Sequence, residues 1–306
     1  MNSQNTGFNT DGNWYRGNIH CHTTNSDGIL SPKDVAELYK NEGYNFLAFT
    51  DHNRFSNSDI YNDKDFIVIP GIEVDIDNPD PWRIYHVVGI QGKDNSMSMS
   101  DGEKFHSGKW QGIQSAQKMI DRLRDRGQIA MFNHPNWSRL ELDDFIDLKD
   151  YFALEIYNYG CAIENHTALS IDYWDSLLRR GRRVWGVATD DCHHRLNDRF
   201  GGWVMVKAPN LTHNAIIESL TQGSFYSSTG PEIYEYGVQD GTVSIKCSPV
   251  MAIHFVTYEV WGHSFFADKN DTLTSASHKL RGNEKYVRVE CVDHNGNTAW
   301  TNPIFL

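Results

Sequence analysis

The chain has 306 residues and a formal net charge of −12, so its length suits one large domain or a large domain with a small one. The acidic balance argues against general nucleic-acid binding, which needs a basic surface, and the lack of a long apolar run argues against a membrane span. The five cysteines contain no C-x-x-C pair, which favours a reducing, cytoplasmic compartment over a disulfide framework.

Short apolar runs alternate with helical patterns from residue 14 to residue 230. Strands are predicted at residues 16–22, 45–50, 66–74, 84–90, 128–133, 152–157 and 183–188. Helices are predicted at residues 32–42, 114–126, 167–180 and 212–221, and Ser31 with Pro32 marks the first helix start. Because strands that alternate with helices commonly pair in parallel, this order predicts a largely parallel α/β sheet, open or closed into a barrel.

The pattern changes near Gly230 and Pro231. Short β-rich runs then follow at residues 233–238, 242–247, 254–261, 285–293 and 298–305. They predict a small, sandwich-like all-β domain over 231–306, after a larger domain over 14–230.

Two polar stretches are expected to be irregular. Residues 1–13 lack the basic start and apolar centre of a signal peptide, and are expected to form a disordered leader. Residues 91–109 are rich in Gly, Ser and Met, and are expected to form a loop that serves as a substrate lid.

Imidazoles and carboxylates lie at or just after the ends of the predicted strands. Residues two apart in a strand face the same side, so His20 and His22 share one side and Asp191 and His193 share another. The cysteine between the members of each pair points away and is predicted to lie in the core. Two such pairs at strand ends favour a metal site over unrelated surface or core histidines.

Five further residues are candidate ligands of the same site. His52 and His134 each end an apolar strand, and Glu73 supplies a carboxylate that can bridge two ions. His86 taken alone is equally typical of a core histidine, and Asp27 is equally typical of a turn. Imidazole and carboxylate ligands without thiolate suit zinc, manganese or iron.

Other polar residues near these positions are given supporting roles. Asp51, Glu155 and Asp190 are expected to orient ligands from behind rather than bind metal. Five arginines are candidates for holding a phosphate, although a surface position is the simpler interpretation of each: Arg54, Arg83, Arg139, Arg195 and Arg199.

Several of these motifs resemble the PHP (polymerase and histidinol phosphatase) metallohydrolase superfamily over roughly residues 14–230. The motifs are residues 17–28 (GNIHCHTTNSDG), 47–53 (LAFTDHN), 71–73 (GIE), His86, His134 and 191–193 (DCH). Within the superfamily the chain is similar to the carbaryl-hydrolase-like branch, whose members often carry a C-terminal β domain. The ending at 300–304 (WTNPI) fits that branch.

The resemblance implies a distorted seven-stranded, TIM-like α/β barrel with two or three divalent ions of manganese, iron or zinc at its mouth. It also implies how the ligands are shared among the ions. The first ion takes His20, His22, Glu73 and Asp191; the second takes Glu73, His86 and His134; the third takes Asp27, His52 and His193.

The expected activity is metal-dependent hydrolysis of a small phosphate ester by a metal-bridging hydroxide. Coordination lowers the pKa of water from 15.7 toward about 7, so no serine or cysteine nucleophile is needed. Asp191, His52 and His193 are the expected catalytic residues, and either histidine can protonate the leaving group if it is free of metal. The expected partner is a small, phosphorylated substrate.

Three alternatives remain open at this point. The same cluster can cleave a carboxylic ester, a carbamate or an amide. The amidohydrolase superfamily also opens with His-x-His, but it needs a bridging lysine where this chain has Glu73. In the third alternative, the larger domain is a non-catalytic scaffold and the β domain binds a glycan or a protein through an aromatic platform. The candidate platform residues are Trp261, Trp300, Tyr234, Tyr236 and Tyr258. Aromatic residues in a small sandwich more often lie in the core.

Overall fold

The structure is a computed structural model that describes residues 5–8, 11–57, 59–77, 83–94, 96–269 and 271–306. Its α-helices are α1 Pro32–Asn41, α2 Ile113–Asp125, α3 Tyr159–Asn165, α4 Ile171–Arg179 and α5 His213–Gln222. The predicted start of α1 is confirmed, because Ser31 accepts a hydrogen bond from the backbone N–H of Asp34. None of these five helices has the length and apolar character needed to cross a membrane.

The described strands fall into two sheets. In chain order they are β1 Asn5–Thr6, β2 Asn13–Asn18, β3 Phe46–Phe49, β4 Ile67–Asp77, β5 Ile84–Gln91, β6 Gln128–Phe132, β7 Ala153–Asn158, β8 Trp185–Thr189, β9 Trp203–Ala208, β10 Phe225–Ser228, β11 Ile233–Gln239, β12 Thr242–Val250, β13 Ala252–Thr257, β14 His263–Phe266, β15 Leu273–Lys279, β16 Tyr286–Val292, β17 Thr298–Thr301 and β18 Ile304–Phe305. The larger sheet has the order β14-β13-β16-β17-β10-β9-β2-β3-β4-β5-β6-β7-β8, with β18 beside β16. The smaller sheet has the order β1-β11-β12-β15.

Amphipathic helices cover the sheet. In α2 the buried positions include Ala116, Met119, Ile120 and Leu123, which follow the i, i+3, i+4, i+7 spacing of one helix face. This face lies on β5, where Gly89 leaves room for Leu123. The apolar face of the helix therefore explains why it packs where it does.

The mixed α/β class is confirmed, but the sheet is less parallel than the sequence suggests. β2, β3 and β4 pair in parallel, and so do β6, β7 and β8. β5 is antiparallel to both of its neighbours, β4 and β6. The reason is that the six residues between the end of β4 and the start of β5 are too few for the crossover that a parallel pair requires, so the two strands pair as antiparallel neighbours.

The closed seven-stranded barrel is not confirmed by the described strands. β2 uses one edge to pair with β3 and the other to pair with β9, a strand that the sequence analysis did not predict. β8 therefore has no free edge of β2 to join. In the described part of the structure, a single parallel bridge between Cys21 and Cys192 joins the two chain segments beyond their strand ends.

Residues 231–306 have the predicted β character, and their described strands pair in antiparallel fashion. β14 and β15 are additional strands in this range, and the unpredicted β10 lies just before it. This C-terminal part is hydrogen-bonded to the preceding part without interruption, because β10 pairs with β9 on one side and β17 on the other. The domain division at residue 230 remains a prediction. Of the proposed aromatic platform, Trp300 and Tyr236 are buried in the core, whereas Tyr234 and Trp261 are exposed. Tyr258 is partly buried against the core.

The expected disordered leader lies partly outside the described residues, at 1–4 and 9–10. Within the described part, Asn5–Thr6 pairs with β11, and the Phe8 ring packs edge-on against Trp14 with 4.8 Å between centroids. This short segment is therefore part of the fold.

A buried arginine, Arg288, connects β16 of the larger sheet to α4. The Nε and Nη2 groups of Arg288 each donate to a different oxygen of Asp175 at 2.9 Å, and its Nη1 group donates to Glu290. Only 1% of the Arg288 side chain is exposed, and its guanidinium lies over the Trp174 ring. A planar, two-pronged donor suits this position better than an ammonium group.

Replacing Arg288 with Met is expected to reduce the free energy of unfolding by about 3 kcal/mol, because Asp175 and Glu290 lose their buried cation. Urea denaturation followed by circular dichroism measures this change. The matched control is Arg281→Met at an exposed position, where the contact with the Trp261 ring is lost and the expected change is within about 1 kcal/mol. Equal effects in the two variants would contradict a special role for Arg288.

Candidate metal centre

All nine predicted ligands converge at one end of the β2–β8 strands. We call this set the candidate metal centre: His20, His22, Asp27, His52, Glu73, His86, His134, Asp191 and His193. Most of them follow strand ends. They come together because the carboxyl ends of parallel strands lie at one edge of a sheet. Glu73 instead lies within β4 opposite Val88, which places it diagonally from His86 on the same face of the sheet.

The tightest group consists of His20, His22, Glu73 and Asp191. The Nε2 atoms of His20 and His22 each lie 3.0 Å from Oδ1 of Asp191. The same two nitrogen atoms lie 3.2 and 3.3 Å from the carboxylate oxygens of Glu73. Four potential ligand atoms thus face a common point, as the resemblance implies for the first ion.

Two further groups share residues with the first. His86 Nδ1 lies 3.1 Å from Glu73 Oε1, and His52 Nδ1 lies 3.4 Å from Glu73 Oε2. Asp27 lies 3.3 Å from Nε2 of His193, and also approaches His22 and His52. The arrangement differs from the implied one, because His52 approaches both Asp27 and Glu73.

His134 is placed more loosely than the resemblance implies. Its Nε2 atom is 3.5 Å from Glu73 Oε1 and 3.8 Å from Asp191 Oδ2, so it borders two groups. Its Nδ1 atom is 3.1 Å from Ser138 Oγ, which fixes the ring orientation. The assignment of all nine residues as ligands remains a prediction.

The geometry of the candidate ligands by itself fits divalent cations. Nδ1 of His22 and Nδ1 of His52 are buried and form no hydrogen bond in the described part of the structure, although carboxylates face them. A buried nitrogen without a hydrogen bond is unfavourable unless another partner satisfies it. A cation held between imidazole and carboxylate groups is such a partner, and this donor set suits zinc, manganese or iron.

The charges of the centre depend on one another. Burial alone would lower the pKa of His20, but the charges of Asp191, Glu73 and Glu155 raise it well above its usual value. Burial alone would raise the pKa of Glu73, but the neighbouring imidazoles, with His20 first, hold it well below its usual range. Glu73 is therefore an ionised carboxylate at neutral pH, which attracts cations to the centre.

A second layer of side chains holds the centre in place. Glu155 is 2.8 Å from His20 Nδ1, which confirms the expected contact, and it accepts the backbone N–H of His134 at 2.9 Å. Asn133 donates to Glu73 at 2.7 Å, and Asn158 donates to Asp191 at 3.0 Å. The sequence analysis missed both asparagines, although each stands at the end of a strand beside a predicted ligand or contact.

Two other expected contacts are wrong. Asp51 touches no imidazole among the described residues and instead accepts hydrogen bonds from Thr23, Ser26 and Ser56. Asp190 accepts a hydrogen bond from Tyr39 and backbone N–H groups of residues 200–202. Each aspartate directly precedes a predicted ligand. Because successive residues point to different sides, the aspartate side chain points away from the ligands and stabilises a loop instead.

The cysteines between the ligand pairs occupy the opposite side, as predicted. Cys21 and Cys192 are fully buried in an apolar cluster, with their Sγ atoms 3.2 Å apart. Burial of the intervening residue confirms the alternation on which the ligand assignment was based.

A cavity of about 260 Å³ opens onto the centre. Besides seven of the nine candidate ligands, its lining residues are Trp137, Gly160, Cys161, Glu164, Arg195, Leu196 and Asp198. Of the five candidate arginines, only Arg195 lines this cavity in the described part of the structure, with Nη2 3.5 Å from Asp27 Oδ2. Arg83 instead pairs with Asp144.

Other lining and neighbouring residues were not predicted. Asp75, two residues after Glu73, lies 3.3 Å from His52 Nδ1, and the spacing of two is a signal that was available. Asp198 accepts the backbone N–H of His193 at 2.9 Å. Residues 104–108 of the expected lid line a separate groove beside His52, and none of its described residues lines the cavity. Its role as a lid remains a prediction.

Comparison with known proteins identifies local and distant similarities. No protein-family model matches the chain. Over 78 residues, 24% of this chain, it is 32% identical to a 5′-3′ exoribonuclease of Haemophilus influenzae. The chain spans only about a quarter of that relative, 27% of its length. This match is too short to assign the chain to a family.

Three solved structures are similar in outline. One is a two-domain protein from Bacteroides vulgatus containing a predicted PHP-like metal-dependent phosphoesterase, with 12% identity, a TM-score of 0.49 and coverage of 99% and 98% of the two chains. A Bifidobacterium adolescentis protein assigned as a metal-dependent phosphoesterase has 15% identity, a TM-score of 0.39 and coverage of 58% and 88%. An amidohydrolase from Chromobacterium violaceum with bound sulfate and no metal has 15% identity, a TM-score of 0.42 and coverage of 60% and 89%.

Glu155→Gln is expected to weaken binding of Zn²⁺ or Mn²⁺ by roughly 10–100-fold, because His20 loses the carboxylate that orients it. Competition with a chromogenic chelator measures the affinity. Glu164→Gln is the matched control, because Glu164 lines the same cavity but accepts its hydrogen bond from Trp137. An affinity unchanged in Glu155→Gln, or lowered equally in both variants, would contradict the role of Glu155.

Proposed function

We propose that this chain is a metal-dependent phosphoesterase of the PHP superfamily that hydrolyses a small phosphate ester. The observation that carries the proposal is the sharing of ligands within the candidate metal centre. Glu73, His22 and His52 each belong to two of the potential ligand groups. Such sharing is what two or three adjacent divalent ions of manganese, iron or zinc require.

The candidate ligands are proposed to have different roles according to their positions in the centre. When bound, the divalent ions supply Lewis acidity, lower the pKa of a coordinated water and stabilise charge on the ester oxygens. His20, His22, Glu73 and Asp191 would hold the deepest ion, and both carboxylates of this group line the cavity. Asp191 is thus proposed to be both a ligand and a catalytic residue.

Two histidines at the cavity wall are proposed to handle protons. His52 and His193 line the cavity, and His193 faces the carboxylate of Asp27. Burial alone would lower the pKa of His193, but the hydrogen bond with Asp27 raises it to about 9. In a state in which His193 is free of metal, it holds a proton that it can donate to a leaving oxygen.

The cavity also supports a second candidate, hydrolysis of a carboxylic ester, a carbamate or an amide by the same centre. Five carboxylates line the cavity beside one arginine: Asp27, Glu73, Glu164, Asp191 and Asp198. Bound ions would offset the charge of the candidate ligands among them, but Glu164 and Asp198 lie outside the ligand set and disfavour a phosphate dianion more than a neutral ester.

The remaining expectations rest on simpler observations. All five cysteines are free and buried, which is compatible with the proposed cytoplasmic location. The net charge of −12 supports a small-molecule substrate rather than general nucleic-acid binding.

Metal content and hydrolysis of model esters, measured on one purified sample, test the proposal. We expect two or three equivalents of manganese, iron or zinc, with turnover of p-nitrophenyl phosphate or bis-p-nitrophenyl phosphate. Turnover of p-nitrophenyl acetate alone would select the second candidate. A protein that binds no metal after reconstitution would exclude both.

His20→Ala and Asp191→Ala are each expected to reduce turnover by more than about 100-fold, beyond the 10–100-fold typical of contacts that only orient a ligand. Steady-state assays with saturating metal measure this loss. His294→Ala is the control, since His294 is exposed. Full activity in a folded, metal-depleted Asp191→Ala variant would exclude the proposed centre.

Arg195→Met is expected to lower kcat/KM for the phosphate ester by about 10–100-fold, the range for a lost hydrogen bond to a charged group. The effect on a neutral acetate ester is expected to be much smaller, because that substrate carries no anionic oxygen in its ground state. Arg199→Met, outside the cavity lining, is the matched control. An equal loss for both substrates would argue against phosphate binding by Arg195.

A further inference from the structure

A second set of potential ligands lies behind the candidate metal centre. We call it the thiol cluster: Cys21, Cys192 and His194. Its three ligand atoms, two Sγ and one imidazole nitrogen, all lie within 4.8 Å of one another. Both cysteines are fully buried and His194 is 6% exposed, so water has little access to the cluster.

The cysteine sulfur atoms are positioned by the fold itself. Cys21 and Cys192 form the single parallel bridge that joins the ends of β2 and β8, supported by a 3.0 Å hydrogen bond from His22 N–H to the Cys192 carbonyl. Their Sγ atoms are 3.2 Å apart. Two thiolates bound to one tetrahedral zinc lie about 3.8 Å apart, given zinc–sulfur bonds of about 2.3 Å. A separation larger by roughly half an ångström is therefore enough to admit the ion.

His194 is directed into the same space by an unusual backbone conformation. Its φ angle is 61°, in the left-handed region that non-glycine residues seldom adopt. Asp198 holds this conformation by accepting the backbone N–H of His194 at 3.2 Å. The ring then places Nε2 3.5 Å from Cys192 Sγ, whereas its buried Nδ1 has no hydrogen-bond partner in the described part of the structure.

A fourth donor is adjacent. The hydroxyl oxygen of Tyr39 lies 3.0 Å from Cys192 Sγ and donates to Asp190 at 2.6 Å. Two sulfur atoms, one imidazole nitrogen and one phenolic oxygen thus lie close together in a buried position. Thiolate and imidazole donors favour thiophilic ions such as zinc, whereas the carboxylate-rich donor set on the opposite side also suits manganese and iron.

We propose that the thiol cluster is a structural zinc site, separate from the candidate metal centre. Binding releases the two thiol protons, so one Zn²⁺ and two thiolates form an uncharged unit that suits a buried position. The ion ties the end of β2 to the end of β8 at the one place where the strand ladder does not close. It thereby fixes the neighbouring segments that carry His20, His22 and Asp191.

Cobalt substitution distinguishes this site from the carboxylate-rich one. Metal-free protein is titrated with Co²⁺, and the near-ultraviolet charge-transfer absorption that arises only from thiolate–cobalt bonds is recorded. We expect this absorption in the wild-type protein, and at most half of its intensity in Cys192→Ser and Cys21→Ser, because each variant keeps only one thiolate of the cluster. In His194→Gln both thiolates remain, so we expect a changed visible spectrum with the charge-transfer band retained.

Two other buried cysteines provide matched controls. Cys161→Ser and Cys291→Ser remove thiols outside the cluster, so the charge-transfer band should persist in both. Circular dichroism and zinc content accompany each variant. We expect one zinc equivalent fewer in Cys192→Ser, with the ligands of the candidate metal centre unchanged. Failure of phosphate-ester turnover would leave this spectroscopic result intact.

Thiol counting supplies the outcomes that would overturn the proposal. Denatured, metal-free protein should react with thiol reagent at all five cysteines. Cys247 and Cys291 are also in contact, so the count is repeated in Cys291→Ser. Two reactive thiols instead of four in that variant would show that Cys21 and Cys192 form a disulfide. Five reactive thiols without a charge-transfer band in the cobalt-loaded protein would show an ordinary buried thiol pair. Either result excludes the zinc site.

Discussion

The concentration of buried carboxylates at one end of the sheet is the constraint on which the rest of the structure depends. Glu73 is 1% exposed and Asp191 is 9% exposed, and an uncompensated buried charge is strongly unfavourable. The surrounding imidazoles compensate part of this charge, with nitrogen–oxygen distances of 3.0–3.3 Å around Asp191 and Glu73. Bound divalent cations would complete the compensation, so folding and metal binding are expected to stabilise each other.

Strand pairing supplies the geometry that this charge distribution needs. Parallel strands bring their carboxyl ends to one edge, and the antiparallel β5 adds His86 from within a strand rather than from its end. Behind the ligands, Glu155 connects three elements because it contacts His20, the backbone of His134 and Asn158. The ligands are thus held by side chains that are themselves fully hydrogen-bonded, which limits their freedom before any ion binds.

The C-terminal strands are connected to the same framework. β10 lies between β9 and β17, and Asn302 hydrogen-bonds to the backbone of Gly186, Gly223 and Phe225. Arg288 adds a buried ionic contact with α4. These contacts stabilise β8, the strand that leads to Asp191. The C-terminal part therefore helps to hold the candidate metal centre in place, although none of its described residues lines the cavity.

The sequence by itself determined the alternation of strands and helices and the nine candidate ligands, because periodicity and strand-end position are local properties. The His20/His22 pair with buried Cys21 between them is the clearest case. The tertiary structure alone decided that β9 occupies the second edge of β2, which prevents the ladder from closing, and that Asp51 stabilises a loop instead of an imidazole. Strand order and side-chain partners depend on contacts between residues far apart in the chain, and no local pattern encodes them.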